Sequence, residues 1–303
     1  MDKKISIATG ALQRKFGDMR AIEIAKEIGA DAIDFETAYG RWDYRCEGQI
    51  YSKSDDEICE YFTALRRRAD EIGIEIGQTH GRLATFCRDE EHNAAQLMNA
   101  RLDCMVAGIL GAKDVVMHNV STHRMGPETT RDEYQKLSEE MFGAFIPFAK
   151  QYGVRIATET FGDSDKYQCV DFFGQMDEFL INYNRIAAKE DFADHFKMCA
   201  DTGHSNKAMR FGQPKPADCI RMMGKNLTCL HLNDNDTLTD QHKTPGMGTI
   251  DWNDVFNALD EIGYSGNYNM ELNLSHYGDN FIVETAEFSI KVLRHMLTER
   301  YGK

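Results

Sequence analysis

Short apolar runs alternate with longer amphipathic segments along the whole chain, and this alternation predicts the elements. Eight runs rich in Ile, Val, Leu and Met have strand length, at 4–9, 32–37, 74–80, 114–119, 155–160, 196–201, 227–233 and 268–273. Between them lie segments such as 19–29, 55–73, 90–111, 131–153, 217–226, 251–263 and 281–299, whose apolar residues recur three and four apart, as on one helix face. Gly29, Gly73, Gly111, Gly153 and Gly263 stand between helix and next strand, where a left-handed residue closes a helix at low steric cost. Eight strand–helix units are the count of a closed parallel (β/α)8 barrel, an α/β fold.

In such a barrel the C-terminal ends of all strands open on one face, where loops build the functional site. Read in order, those ends supply Glu36, His80, His118, Glu159, Asp201 followed by His204, His231, and Glu271. Glu159 and Glu271 directly follow apolar runs. A carboxylate there is neutralised or expelled unless a cation compensates it. With Asp201 and His231 they form an oxygen-rich, one-imidazole set. That mixture suits Mn, Co, Mg or Zn with open coordination positions, rather than a closed structural zinc site. A single strand-end histidine such as His80 is equally consistent with a hydrogen-bonded structural role.

Composition narrows the partners. The 303 residues contain no Pro/Gly/Ser-rich linker, so one domain over 1–303 is expected. No apolar stretch reaches about 18 residues and no signal-peptide core precedes the first strand, which predicts a cytoplasmic protein without a membrane partner. The eight cysteines form no Cys-x-x-Cys pair and read as reduced, structural residues. A formal charge of -14 opposes binding to nucleic acid, and the one compact basic run, Arg66 to Arg68, falls on a helix face. Walker, Gly-x-Gly-x-x-Gly and Gly-x-Ser-x-Gly motifs are absent, leaving nucleotide hydrolysis, dinucleotide redox chemistry and serine hydrolysis without support.

Glu159, Asp-Thr-Gly-His at 201–204, His-Leu-Asn-Asp at 231–234, Pro-Gly-Met-Gly-Thr-Ile-Asp-Trp at 245–252 and Glu271 together resemble the xylose isomerase-like TIM-barrel superfamily. The resemblance covers essentially the whole chain. It is specific to the superfamily, which includes sugar-phosphate isomerases and epimerases, inosose dehydratases and the endonuclease IV class, but not to one reaction. Its ketose-epimerase branch implies one divalent metal, manganese first, held by Glu159, Asp201, His231 and Glu271. The two glutamates would then exchange a substrate proton through an enediolate. His204 would donate to the substrate oxygen that gains charge, while His80, His118, Asp240 and His242 would contact neighbouring hydroxyls. His242 stands where that branch often carries an Arg before Pro-Gly. Tyr39, Trp42 and Phe161 follow strand ends and are candidates for an apolar wall against a sugar.

Three other readings share these residues. The same bases could eliminate a group from a 3-oxo-glycoside, as in C-glycoside deglycosidases, which resemble this barrel and use a small β-sheet partner subunit. Asp240-Gln-His242 with His80 and His118 could fill, by position, the three-metal site of an endonuclease IV-like DNA repair enzyme, although the acidic surface and the residues after His80 speak against it. A non-catalytic sugar-binding barrel is the fourth. The expected partner is a small sugar or glycoside, with a homo-oligomer or a small subunit as further options.

Overall fold

The structure, a computed structural model, describes residues 3–38, 42–189 and 191–302. Its core is a ring of eight parallel strands: β1 Ile5–Ala8, β2 Ala32–Glu36, β3 Glu75–His80, β4 Asp114–His118, β5 Arg155–Glu159, β6 Phe196–Asp201, β7 Leu227–His231 and β8 Tyr268–Met270. They pair in the order β8-β1-β2-β3-β4-β5-β6-β7. A parallel bridge between Leu232 and Met270 closes the ring, with the Leu232 N–H donating to the Asn269 carbonyl at 2.8 Å. Each of the eight predicted runs contains one barrel strand.

The seven predicted helices are present as Asp18–Glu27, Asp55–Ile72, Glu90–Leu110, Arg131–Tyr152, Pro216–Met223, Trp252–Glu261 and Ile282–Tyr301. An eighth barrel helix, Met176–Ala187, buries Phe179, Tyr183 and Ile186 at four- and three-residue spacing. It follows a small hairpin pairing Asp163–Ser164 with Cys169–Val170, which interrupts the pattern after β5. Among the described residues no helix is long and apolar enough to cross a membrane. The basic run lies within Asp55–Ile72, where Arg66 pairs with Asp70 and Arg68 with Glu23 and Glu71.

Alternation along the strands sends side chains to two different environments. Ile7, Ile33, Phe35, Val115, Met117, Ile156, Met198 and Leu230 join the large core shared with the helices. Val116, Ala157, Cys199 and Cys229 form a separate small cluster. Asp34, Gln78 and Asn269, from the opposite side of the ring, meet one another in hydrogen bonds, so the barrel interior is part apolar and part polar. All eight cysteines are free thiols, as expected, and burial pushes Cys199 and Cys229 well above the usual thiol range.

Candidate metal centre

Glu159, Asp201 and His231 are the last residues of β5, β6 and β7, and Glu271 immediately follows β8. Strand register sets Asp201 beside His231. One ligand atom from each of the four residues lies within 4.8 Å of the others. His231 Nδ1 is 2.8 Å from Glu159 Oε1 and 3.3 Å from Glu271 Oε2. Three carboxyl groups and one imidazole at this range form a concentrated negative site unless a cation sits among them. Glu159 Oε2 is buried and accepts no hydrogen bond, a costly state for a carboxylate oxygen and a further sign that the donor set fits a cation. Burial raises the Glu271 carboxyl, but the imidazoles of His231, His242, His80 and His204 outweigh it and hold the group at about 2.

The motifs are also scaffolding for these ligands. Asp201 caps helix Thr202–Ala208: its Oδ1 accepts from the His204 N–H at 2.6 Å, while its Oδ2 accepts from Asn233 Nδ2 at 2.8 Å. Gly203 is required by close approach, because a Cβ there would lie 1.9 Å from Asn233 Oδ1. Asp234 accepts from Trp252 Nε1 at 2.9 Å and from the Gly246 and Ile250 N–H groups, folding 245–252 back over β7. A Cβ on Gly248 would meet the Asn235 carbonyl at 2.3 Å.

Behind His231 stands a set that strand-end positions alone do not include. Asp34 Oδ2 lies 3.0 Å from His231 Nε2 and accepts from Gln78 Nε2 at 2.9 Å and Asn269 Nδ2 at 3.1 Å. A carboxylate on the far ring nitrogen anchors a proton there, so that Nδ1 would be the nitrogen left to bind a cation. The signal was available in sequence. Asp34, Gln78 and Asn269 each stand two residues before a strand-end polar residue, hence on the same strand face.

The remaining predicted polar residues surround these four side chains. His80 Nε2 is 3.5 Å from Glu271 Oε1, and its ring stacks on His231 with centroids 5.0 Å apart. His118 Nε2 is 3.2 Å from Glu159 Oε2. Burial and the neighbouring imidazoles of His80 and His204 push His118 well below the usual imidazole range. His204 Nδ1 lies 3.8 Å from both Glu159 and Asp201, and its Nε2 is 3.4 Å from Asp240 Oδ2. Burial opposes its charging, but Asp201 and Asp240 prevail and raise it to about 9. His242 Nδ1 donates to the Glu271 carbonyl at 3.0 Å, and its Nε2 is 3.2 Å from Asp240. Among the described residues four further groups are as compact as the four-residue one, His80–His118–Glu159 and Asp201–His204–His242 among them.

The aromatic candidates have different surroundings. Trp42 is 2% exposed and packs edge-on against Phe35 and Tyr51 and beside Phe62. These partners come from β2, a short turn and a helix, and enclose most of the indole. Trp42→Ala should therefore cost about 3–5 kcal/mol of stability and leave KM for any substrate unchanged, as thermal unfolding and kinetics would show. Tyr39 lies outside the described residues. Phe161 does reach the mouth: half-buried, it stacks on His118 with ring centroids 4.0 Å apart.

Fold and site together define a (β/α)8 barrel with a carboxylate-rich ligand cluster at its C-terminal mouth. The protein belongs to the xylose isomerase-like TIM barrel family, whose profile matches residues 22–295. It is 30% identical to an inosose isomerase of Bacillus subtilis (strain 168) over 202 residues, 64% of this sequence and 64% of that protein. A D-psicose 3-epimerase solved in the presence of D-fructose superposes with TM-score 0.70 at 18% identity, covering 96% of this protein and 98% of that one. The IolI protein with a bound zinc atom gives TM-score 0.69 at 18% identity, covering 98% and 97%.

Proposed function

We propose that this protein is a divalent-metal-dependent carbohydrate isomerase or epimerase that moves a proton on the carbon next to a carbonyl. The observation that carries this reading is the convergence of Glu159, Asp201, His231 and Glu271 at the mouth of the barrel, each offering one ligand atom within 4.8 Å of the others. The inosose isomerase and the psicose epimerase among its relatives act on polyhydroxylated carbonyl compounds, which agrees with a mouth lined by imidazoles and carboxylates. The zinc in the IolI structure supports a divalent ion, with manganese as the first choice for this donor set.

Bound there, the cation would polarise the carbonyl and offset the negative charge that builds on its oxygen as the neighbouring C–H ionises. The protein's residues do the rest. Glu159 and Glu271 both approach His231 Nδ1, so each offers a carboxylate oxygen as proton acceptor beside the same small space. Their surroundings differ. Glu159 is fully buried, whereas the Glu271 side chain retains 19% of its exposure and can return its proton to solvent more readily. His204, His118 and His80 face the carboxylates around that space and orient substrate oxygens.

The test is proton exchange. Apoprotein loaded with Mn2+ and incubated in deuterated water with ketohexoses, inososes and 3-oxo-glucosides should place deuterium at one carbon of the substrate, read by NMR. Loss of an aglycone would assign a lyase instead. No exchange with any of these compounds, at full metal loading, removes the proposal.

A further inference from the structure

Beside the mouth lies a buried cation that the proposed reaction does not use. Lys207, on helix Thr202–Ala208, is almost fully buried, and its Nζ lies 2.9 Å from Asp163 Oδ1 and 3.2 Å from Asp240 Oδ1. Asp163 is itself fully buried and also pairs with Arg210. Lys207 thus ties together the loop after β5, the helix after β6 and the loop after β7. Asp240 is the shared element: its other oxygen, Oδ2, faces His204 Nε2 at 3.4 Å and His242 Nε2 at 3.2 Å. The ammonium is therefore one carboxylate away from two of the three members of the Asp201–His204–His242 group.

That group is compact enough to hold a metal ion by itself. A cation placed there would draw on Asp240 as the nearest additional anion. Asp240 is already neutralised by Lys207, and a buried ammonium is not screened by water or mobile ions as a surface charge is. We propose that Lys207 sets the metal number of this site: it keeps a cation out of the Asp201–His204–His242 group and leaves its imidazoles for the oxygens of the substrate. This rests on the reading of the mouth as a cation site. It concerns only the outer group and makes no demand on His80–His118–Glu159.

Metal counting tests it. Metal-free full-length protein is titrated with Zn2+, dialysed, and its content measured by mass spectrometry. Wild type and Lys207→Arg should saturate at the same number of equivalents, and Lys207→Met should take one more per protein molecule. His242→Ala should leave the wild-type count unchanged but remove the extra equivalent from Lys207→Met. If Lys207→Met does not fold, Lys207→Gln, which keeps polar contact with Asp163 and Asp240 but removes the charge, takes its place. A wild type that loses one equivalent on His242→Ala already holds a cation in the outer group, and the proposal is wrong while the four-ligand centre stands. A folded Lys207→Met that gains nothing also overturns it. Zero uptake by wild type removes this proposal and the proposed function together.

Discussion

Glu271→Gln is expected to lower proton exchange on the true substrate by roughly 10²- to 10⁴-fold, the usual loss when a positioned acid–base group is removed. The substitution preserves size and one carbonyl oxygen, and the partly exposed position tolerates the new amide. Metal should be weakened but retained at high concentration, so activity falls further than occupancy. Glu159→Gln should behave differently. Glu159 is fully buried, and its Oε1 lies 2.8 Å from His231 Nδ1. An amide there either turns its NH2 towards a ligand nitrogen or leaves a buried donor without a partner. Loss of metal and loss of exchange should therefore coincide in Glu159→Gln and separate in Glu271→Gln. Side-by-side measurement of metal content and deuterium exchange checks both. Near-wild-type turnover by metal-loaded Glu271→Gln would mean that another side chain moves the proton.

The four converging residues were legible because a parallel barrel places every strand end on one face. An apolar run broken by Glu, Asp or His marks both the strand and the site, as at Glu159, Asp201 and His231. The surroundings of Trp42 were not legible for a related reason. An aromatic residue just after β2 looks the same in sequence whether it lines the rim or turns outward, and its partners Tyr51 and Phe62 are brought to it only by the packing of the following turn and helix. The helix Met176–Ala187 was hidden by the hairpin before it. For Lys207 and Asp163, 44 residues apart in sequence, no local pattern announces a buried ion pair; it exists because two loops and a helix close over the mouth.

Asp34 shows how far face parity alone can go. Its position two residues before Glu36 assigns it to the barrel interior, but not to a partner on β7 across the ring. That contact follows from closure of the ring, which sets β2 and β3 against β7 and β8 around a polar interior. The consequence is that a residue without direct access to the cation should control its affinity. Asp34→Asn keeps an oxygen acceptor for His231 Nε2 but removes the charge that fixes the ring's tautomer and raises the basicity of Nδ1. The expected loss in metal affinity is about 10- to 100-fold. At a fixed metal concentration above Kd, that loss corresponds to about 1.4–2.7 kcal/mol less metal-dependent stabilisation, visible as a smaller rise in Tm on adding metal. Gln78→Leu should cost less, because Asn269 and His231 still hold Asp34 in place. Chelator competition titrations on the two variants give the order directly. Wild-type affinity in Asp34→Asn would show that Gln78 and the packing of the ring on His80 suffice to orient the imidazole, and that the buried carboxylate serves the barrel interior rather than the metal centre.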